Sequence, residues 1–263
     1  MPVSKFKCLL FAQNMLMKYW LLAFGILISS AIQAQFGFYA QAGGNATNLH
    51  VSRNPGGTVD GTFGYGWQAS VGTEYHTQFG FLVFIEAGIS QQRYGRDSSG
   101  ATASRAIVSE YAYKPMFLNF PFGIGYQFPL SKQLALRVYG GATTQIGIGG
   151  KVRRKSTIYG KDSSGAQIVV GTEDDNHKIN FGRSINLQSE FRSDIANAVW
   201  GLNAGVGLSV SQKFEVTAIF QSTLTNMLPG GDGIPEIDKL QSINIGLKYF
   251  FSRSYYHAKP LYH

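Results

Sequence analysis

Five charged residues have types and positions that could do chemistry, because they lie on the polar face of segments whose other face is apolar. Three are acids and two are bases: Glu74, Glu86, Arg137, Glu215 and Lys248. In a narrow enclosed space, acid and base pair, since an unpaired buried charge is costly. The set is predicted to be a salt-bridged plug that fixes strand register, and a gate on a narrow solute path is the alternative.

A second charged group lies in the polar stretch 147–193, which holds eight Lys or Arg residues and five acids. Its densest part is a run of four cations: Lys151, Arg153, Arg154 and Lys155. Such a run just above an outer leaflet is predicted to pair with lipopolysaccharide phosphates. The alternative is a solvated loop face whose charges partly cancel.

Signals for catalysis or metal binding are weak. His50 and Ser52 lie close together, but nothing places an orienting carboxylate beside them. The acidic run at residues 173–175 lacks the ligand spacing of a calcium loop. The only cysteine, Cys8, lies near the N-terminus. We therefore expect no enzyme activity, no cofactor and no metal site.

The elements that must position these residues are β-strands. Within residues 114–128, every second side chain is large and apolar: Met116, Leu118, Phe120, Phe122, Ile124, Tyr126 and Phe128. This period of two is that of a strand, and so large a row of apolar rings is typical of one facing lipid. Eight alternating segments follow the N-terminal region: residues 36–48, 65–76, 79–94, 114–128, 133–146, 195–210, 213–225 and 240–251.

The connections between these segments alternate in length. The short ones are 77–78, 129–132 and 211–212, and the long polar ones are 49–64, 95–110, 147–193 and 226–239. Short turns on one side and long loops on the other indicate an all-β, eight-stranded antiparallel up-and-down barrel that crosses the outer membrane. An open sheet edge cannot lie in lipid, so the first and eighth segments must pair. Ten strands are the alternative, with residues 156–159 and 167–171 as the extra pair.

An eight-residue repeat lies in two of the long connections, as Tyr-Gly-Arg-Asp-Ser-Ser-Gly-Ala at 94–101 and with Lys for Arg at 159–166. Asp-Ser-Ser-Gly is turn chemistry, because short polar side chains bond local backbone and glycine accepts positive φ. Both copies are predicted to be the turns at hairpin tips, with a binding epitope as the alternative.

The N-terminus predicts export. Lys18 precedes an apolar run at residues 19–28 and a small-residue stretch that ends at Ala34, which fits a cleaved signal peptide over residues 1–34. Residues 1–16 are interpreted as an upstream extension. A single membrane anchor is the alternative to the signal peptide. Removal of the signal lowers the net charge from +8 to +5, and with 14% charged residues this is not the pattern of a nucleic-acid binder. The barrel is predicted over 35–251, with a periplasmic tail at 252–263.

Three stretches resemble the small outer-membrane β-barrel family typified by PorT-like proteins, whose architecture is that of the OmpA and OmpX barrels. They are residues 117–126, similar to the family's fourth strand, 200–208, similar to its sixth, and 243–251, similar to its closing strand. The resemblance implies outer-membrane insertion and, for most members, no assigned reaction. Many such barrels end at a terminal aromatic residue that the assembly machinery reads, whereas here the chain continues past Phe251.

Together these patterns predict a non-enzymatic outer-membrane protein of a Gram-negative bacterium, with a structural or surface-interaction role through its long outer loops. The expected partners are outer-membrane lipid and lipopolysaccharide, an envelope or extracellular protein, and the barrel-assembly machinery during insertion. A narrow passive channel for small solutes or ions is one alternative, motivated by the inner charges. An accessory role in a protein-secretion system, implied by the resemblance, is the other.

Overall fold

The computed structural model describes nine stretches of the chain: residues 35–53, 57–77, 79–101, 105–131, 133–162, 164–182, 195–211, 213–227 and 236–253. Both the predicted signal peptide and residues 254–263 of the predicted tail lie outside the described residues. Thirteen β-strands make up nearly all of the described chain. Within those stretches, no helix is long and apolar enough to cross a membrane.

The strands range from two to 28 residues in length. Their bounds are β1 Gln35–Arg53, β2 Gly57–Asp60, β3 Thr62–His76, β4 Phe81–Gln91, β5 Tyr94–Ala101, β6 Arg105–Pro129, β7 Leu134–Lys161, β8 Gln167–Lys178, β9 Phe181–Gly182, β10 Ile195–Ala196, β11 Ala198–Val210, β12 Phe214–Thr223 and β13 Glu236–Arg253.

Eight of these strands close into one antiparallel ring, in the order β1, β3, β4, β6, β7, β11, β12 and β13. The seam between β1 and β13 runs from Gly37 opposite Arg253 to Arg53 opposite Glu236. The predicted all-β, antiparallel, eight-strand topology is therefore confirmed. The ten-stranded alternative is wrong, because β8, although it is a strand, pairs with β7 and takes no place in the ring.

Side chains alternate across the ring wall as the sequence pattern predicts. On β6, Phe122 and Ile124 are exposed on the outside, whereas on β7, Arg137 and Thr143 are buried inside. The outer surface is an apolar belt and the interior, here called the lumen, is largely polar, which is the reverse of a soluble barrel. One exception is a small apolar cluster inside the lumen, which consists of Leu82, Phe84 and Tyr139.

One end of the ring, here called the short-turn end, carries the tight connections 77–80, 130–133 and 211–213. Gly80 and Ser211 turn there with positive φ values of 86° and 65°. At the opposite, long-loop end, the connections predicted as loops are largely strand. β1 runs on to Arg53 and β7 to Lys161, because backbone pairing continues past the point where the apolar pattern that marks the belt ends.

Four strands continue beyond the ring at the long-loop end as a sheet extension. It consists of β5, the first half of β6, the second half of β7, and β8. A bulge in β7 at Ile148, between Gly147 and Gly149, separates the ring part of that strand from the extension. Beyond the bulge the odd-numbered residues of β7 face outward, whereas even-numbered residues do so below it.

The repeated octapeptide takes two different structures. The second copy is the predicted hairpin turn, in which Asp162 Oδ1 accepts hydrogen bonds from Ser164 and from the Ala166 N–H, and Gly165 has a φ of 83°. The first copy is strand β5, paired with β6 from Tyr94 onward, so the prediction of a turn there is wrong. The backbone ladder offered by β6 outweighs the local turn preference of Asp-Ser-Ser-Gly.

Candidate functional site

The lumen near the short-turn end is filled by a network around Arg137. The Arg137 guanidinium donates from Nη1 to both carboxylate oxygens of Glu74, at 2.9 and 3.0 Å, and lies 2.9 Å from Oε2 of Glu215. It also donates to Gln127 Oε1 at 2.7 and 3.1 Å. Arg137, Glu74 and Glu215 are almost wholly buried. The guanidinium is therefore held by side chains from the neighbouring strand β6 and from β3 and β12.

Lys248 and Glu86 form a second buried pair, with 3.1 Å between Nζ and Oε1. Glu86 also accepts hydrogen bonds from the Tyr39 hydroxyl at 2.7 Å and from Ser70 at 3.2 Å. The Lys248 ammonium lies 4.4 Å from the centre of the Tyr39 ring and 5.0 Å from that of Tyr139. Such aromatic contacts stabilise a desolvated cation. The structure thus brings all five charged residues singled out in the sequence into two adjoining buried networks.

Two glycines make room for the tyrosines of these networks. A Cβ added at Gly72 would lie 2.6 Å from the Tyr39 ring and 2.8 Å from Glu86 Cγ. One added at Gly207 would lie 2.6 Å from Glu215 and 2.9 Å from the hydroxyl of Tyr139, which donates to that same carboxylate. Each glycine therefore allows a bulky phenol to cross the lumen to its carboxylate.

We call the five charged residues of the two networks the charge cluster. Its acids are held too firmly to be offered to a substrate. Each of the three carboxylates accepts bonds from a cation and from at least one neutral or histidine side chain. His76, at 2.7 Å from Glu74, completes the set, so that the three carboxylates face one arginine, one lysine and one histidine side chain. Within the described stretches, no group of three His, Cys, Asp or Glu side chains is arranged to hold a metal ion.

A polar cavity of about 60 Å³ lies above the charge cluster in the middle of the lumen. Its lining includes Glu86, Phe84 and Tyr139, and most of the other lining side chains carry an amide or a hydroxyl group. Four lining oxygens accept no hydrogen bond from the described residues: Gln41 Oε1, Ser90 Oγ, Gln92 Oε1 and Gln145 Oε1. Because a water molecule needs about 10–15 Å³ of cavity volume, the cavity has room for a few waters.

An apolar cap closes the lumen at the long-loop end. Its members lie nearer the long-loop end than the cavity lining does. On β11, Val199 is nearer that end than Asn203, and on β13, Leu240 is nearer it than Asn244. The cap consists of Leu49, Tyr94, Tyr113, Phe117, Val152, Ile179, Ile195, Val199, Met227 and Leu240. Strands β9 and β10 pair in parallel within it. The lumen is thus filled by charge at one end and by apolar packing at the other.

The structure divides the predicted lipopolysaccharide run between the two faces of the sheet extension. Lys151, Arg153 and Lys155 are exposed on the outward face, whereas Arg154 turns to the other face, where its guanidinium lies 6.0 Å from the Tyr111 ring. Adjacent residues of a strand point to opposite faces, so the run as predicted is not one surface. Arg153 pairs with Asp174 and its Nε donates at 2.9 Å, which lowers the pKa of the Asp174 carboxyl.

The pair considered for catalysis, His50 and Ser52, belongs to β1. The side chain of Ser52 lies outside the part of the chain that the structure describes. His50 is opposite Lys239 across the seam and Asp60 on β2.

Comparison with known proteins places the chain in a family. Residues 20–251 match the family model described as outer membrane protein beta-barrel domain. The chain belongs to this outer membrane β-barrel family. As a family member it is an outer membrane protein, in agreement with the ring and its apolar belt. No curated protein sequence matches the chain.

Solved outer membrane barrels are similar to this one in outline. Neisserial surface protein A is 11% identical, with 81% of this chain and 96% of that chain covered and a TM-score of 0.32. Ail, the attachment invasion locus protein of Yersinia pestis, is 11% identical, with 83% and 99% covered and a TM-score of 0.32. OprG from Pseudomonas aeruginosa is 14% identical, with 82% and 96% covered and a TM-score of 0.31. The family assignment rests on the family match and not on these structures.

The sequence pattern alone missed several residues of the two lumen networks. Gln127 and His76 bind Arg137, while Tyr39 and Tyr139 bind the glutamates. The inward position of Tyr39 and Tyr139 was visible in the alternation, but their partners lie on strands across the ring. Which side chains meet across the lumen depends on the geometry of the closed ring, and no single segment encodes that geometry.

Proposed function

We propose that this protein is a closed, non-enzymatic outer membrane barrel that offers its sheet extension, outside the cell, as a docking surface for an extended segment of another protein. The long-loop end then faces outward and the chain ends face the periplasm. The observation that carries the proposal is the edge of β8. It pairs with β7 on one side, and eleven of its twelve residues are exposed.

The outer half of the β8 edge has few of the features that natural edge strands use to prevent pairing. After Gln167 come Ile168, Val169 and Val170, which are 46%, 57% and 59% exposed, with neither proline nor lysine among them. The strand bulges at Val170, and its acids at residues 173–175 lie in the other half. A β-branched edge of this kind is suited to the addition of one more strand. Main-chain hydrogen bonds would supply affinity, and the alternate side chains would supply selectivity.

The edge can be tested by photo-crosslinking in whole cells, with a benzophenone side chain at Val169. We expect an adduct with a defined surface protein, and we expect Ile168→Lys with Val170→Lys to abolish it, because lysine on an edge opposes strand addition. The matched control is Ile107→Lys with Val108→Lys, which replaces two exposed apolar residues on β6, a strand paired on both sides. An adduct that both pairs of substitutions reduce equally would contradict the proposal.

The closure of the lumen at two levels supports a barrier rather than a channel. We expect steady single-channel steps to be absent from planar bilayers that contain the wild-type protein, because charge and apolar packing each fill the cross-section of an eight-stranded ring. Arg137→Gln is expected to remain silent as well, since the apolar cap stays in place. Steady steps that change with Glu86→Gln or Arg137→Gln would favour the channel instead.

Some finer predictions rest on the resemblance or the sequence alone. These are the PorT-like relationship, the accessory role in protein secretion, contact with the assembly machinery, and cleavage of a signal peptide. Co-purification of other envelope proteins would support the secretion role, and a clean monomer in detergent would count against it.

A further inference from the structure

Three lysines lie side by side across the outward face of the sheet extension, where β6, β7 and β8 leave the ring. Lys114 is directly opposite Lys151, and Lys151 is directly opposite Lys178. All three are exposed. We call them the lysine row. Side chains directly opposite each other in an antiparallel sheet share a face at a Cβ separation of about 4.5–5.5 Å, and like charges so placed repel.

The described residues supply no counter-charge for this row. Among the described residues, none of the three lysines has a carboxylate within ion-pair distance. The nearby acids of β8 pair elsewhere, Asp174 with Arg153 and Asp175 with His177. Two adjacent like-charged pairs are therefore maintained without an internal anion, which is a cost that an external anion would offset.

The position of the row indicates where that anion would come from. One step closer to the ring, Met116 is opposite Gly149, and beyond the bulge Leu118 is opposite Ile146. Leu118 and Ile146 are 38% and 37% exposed and belong to the apolar belt. The row therefore lies at the upper border of the belt, the level at which lipid headgroups meet water. Lysine stems can cover apolar surface there while the ammonium groups reach the headgroup layer.

We propose that the lysine row binds the phosphate of a phosphorylated glycolipid headgroup in the outer leaflet. Each ammonium donates up to three hydrogen bonds, and charge-assisted bonds to phosphate oxygens are short and strong. The site replaces the predicted run at residues 151–155, of which it keeps only Lys151. Lys114 and Lys178 come from strands distant in sequence. The inference rests on the proposed orientation, with the long-loop end outside, but not on the β8 edge.

The test uses the full-length protein in phosphatidylcholine nanodiscs and measures the binding of bis-phosphorylated lipid A by native mass spectrometry. The variant replaces Lys114, Lys151 and Lys178 with glutamine. The matched control replaces Lys155, Lys161 and Lys213, three other exposed lysines, so that the net charge changes equally. We expect the row variant to lose at least about tenfold in affinity and the control less than about twofold.

Lipid A from which both phosphates have been removed provides the second comparison. It is expected to bind wild type and row variant alike, because the row recognises phosphate. Equal losses in the row variant and in the control would overturn the inference in favour of general surface charge. An equal loss for phosphate-free lipid A would overturn it too. The row variant is expected to retain the Val169 crosslink, which separates this inference from the proposed function.

Discussion

Replacing Arg137 with methionine is expected to lower the free energy of unfolding by about 3–5 kcal/mol, the range for removing one partner of a buried ion pair. The guanidinium is the only group that contacts both Glu74 and Glu215 among the described cations, at 2.9 Å in each case. Methionine fills much of the volume but leaves two buried carboxylates with their cation removed. Urea unfolding in detergent micelles, followed by the shift between folded and unfolded bands on unheated gels, measures the loss.

The control for Arg137 is Arg153→Met, which breaks an ion pair that is exposed on the sheet extension. An ion pair in water is screened and contributes little, so this variant should unfold close to wild type. A triple variant, Arg137→Met with Glu74→Gln and Glu215→Gln, should regain part of the stability because the uncompensated charges are gone. If Arg137→Met and Arg153→Met were equally stable, the charge cluster would not be the structural centre of the lumen.

Replacing Phe117 with alanine is expected to cost about 3–5 kcal/mol, the range for truncating a buried phenylalanine. Phe117 is 0% exposed and packs edge-to-face against Phe181, with 6.0 Å between ring centres. Its loss should also loosen the segment that holds β9 and β10 over the lumen. Ala196→Cys, in a chain with Cys8 replaced by serine, reports this loosening as faster labelling by a maleimide.

The matched control is Phe120→Ala on the same strand. Phe120 faces outward and is 39% exposed, so detergent or lipid can fill the space that its ring leaves. The Phe120→Ala variant should unfold at a urea concentration closer to that of wild type than the Phe117→Ala variant does. Its labelling rate at residue 196 should be unchanged. Equal effects of the two substitutions would mean that the apolar cap adds nothing to the closure of the lumen.

The strand pattern could be predicted from the sequence because alternation is a local property. Seven large residues in residues 114–128 were enough to orient β6, since lipid on one side and a lumen on the other select side chains of opposite character. The five inner charges were found by the same rule. Their pairing was not, because Arg137 meets Glu74 through the closed geometry of the ring and not through any spacing along the chain.

The apolar cap and the sheet extension were beyond local rules. Ile179 lies in the polar stretch 147–193, whose composition predicts a solvated loop, yet it is buried in the cap. The repeated octapeptide makes the same point, since one copy forms strand β5 and the other a turn. In each case the neighbour that a segment meets in space decides between two locally acceptable conformations.

The seam between β1 and β13 joins the two most distant parts of the described chain, with Gly37 opposite Arg253. Its hydrogen bonds cannot form until the last strand is present. A polypeptide truncated upstream of β13 therefore has two unpaired strand edges, which cannot lie in hydrocarbon. Closure of the barrel therefore depends on its last strand, and we expect a chain that lacks β13 to be degraded rather than to form a smaller barrel.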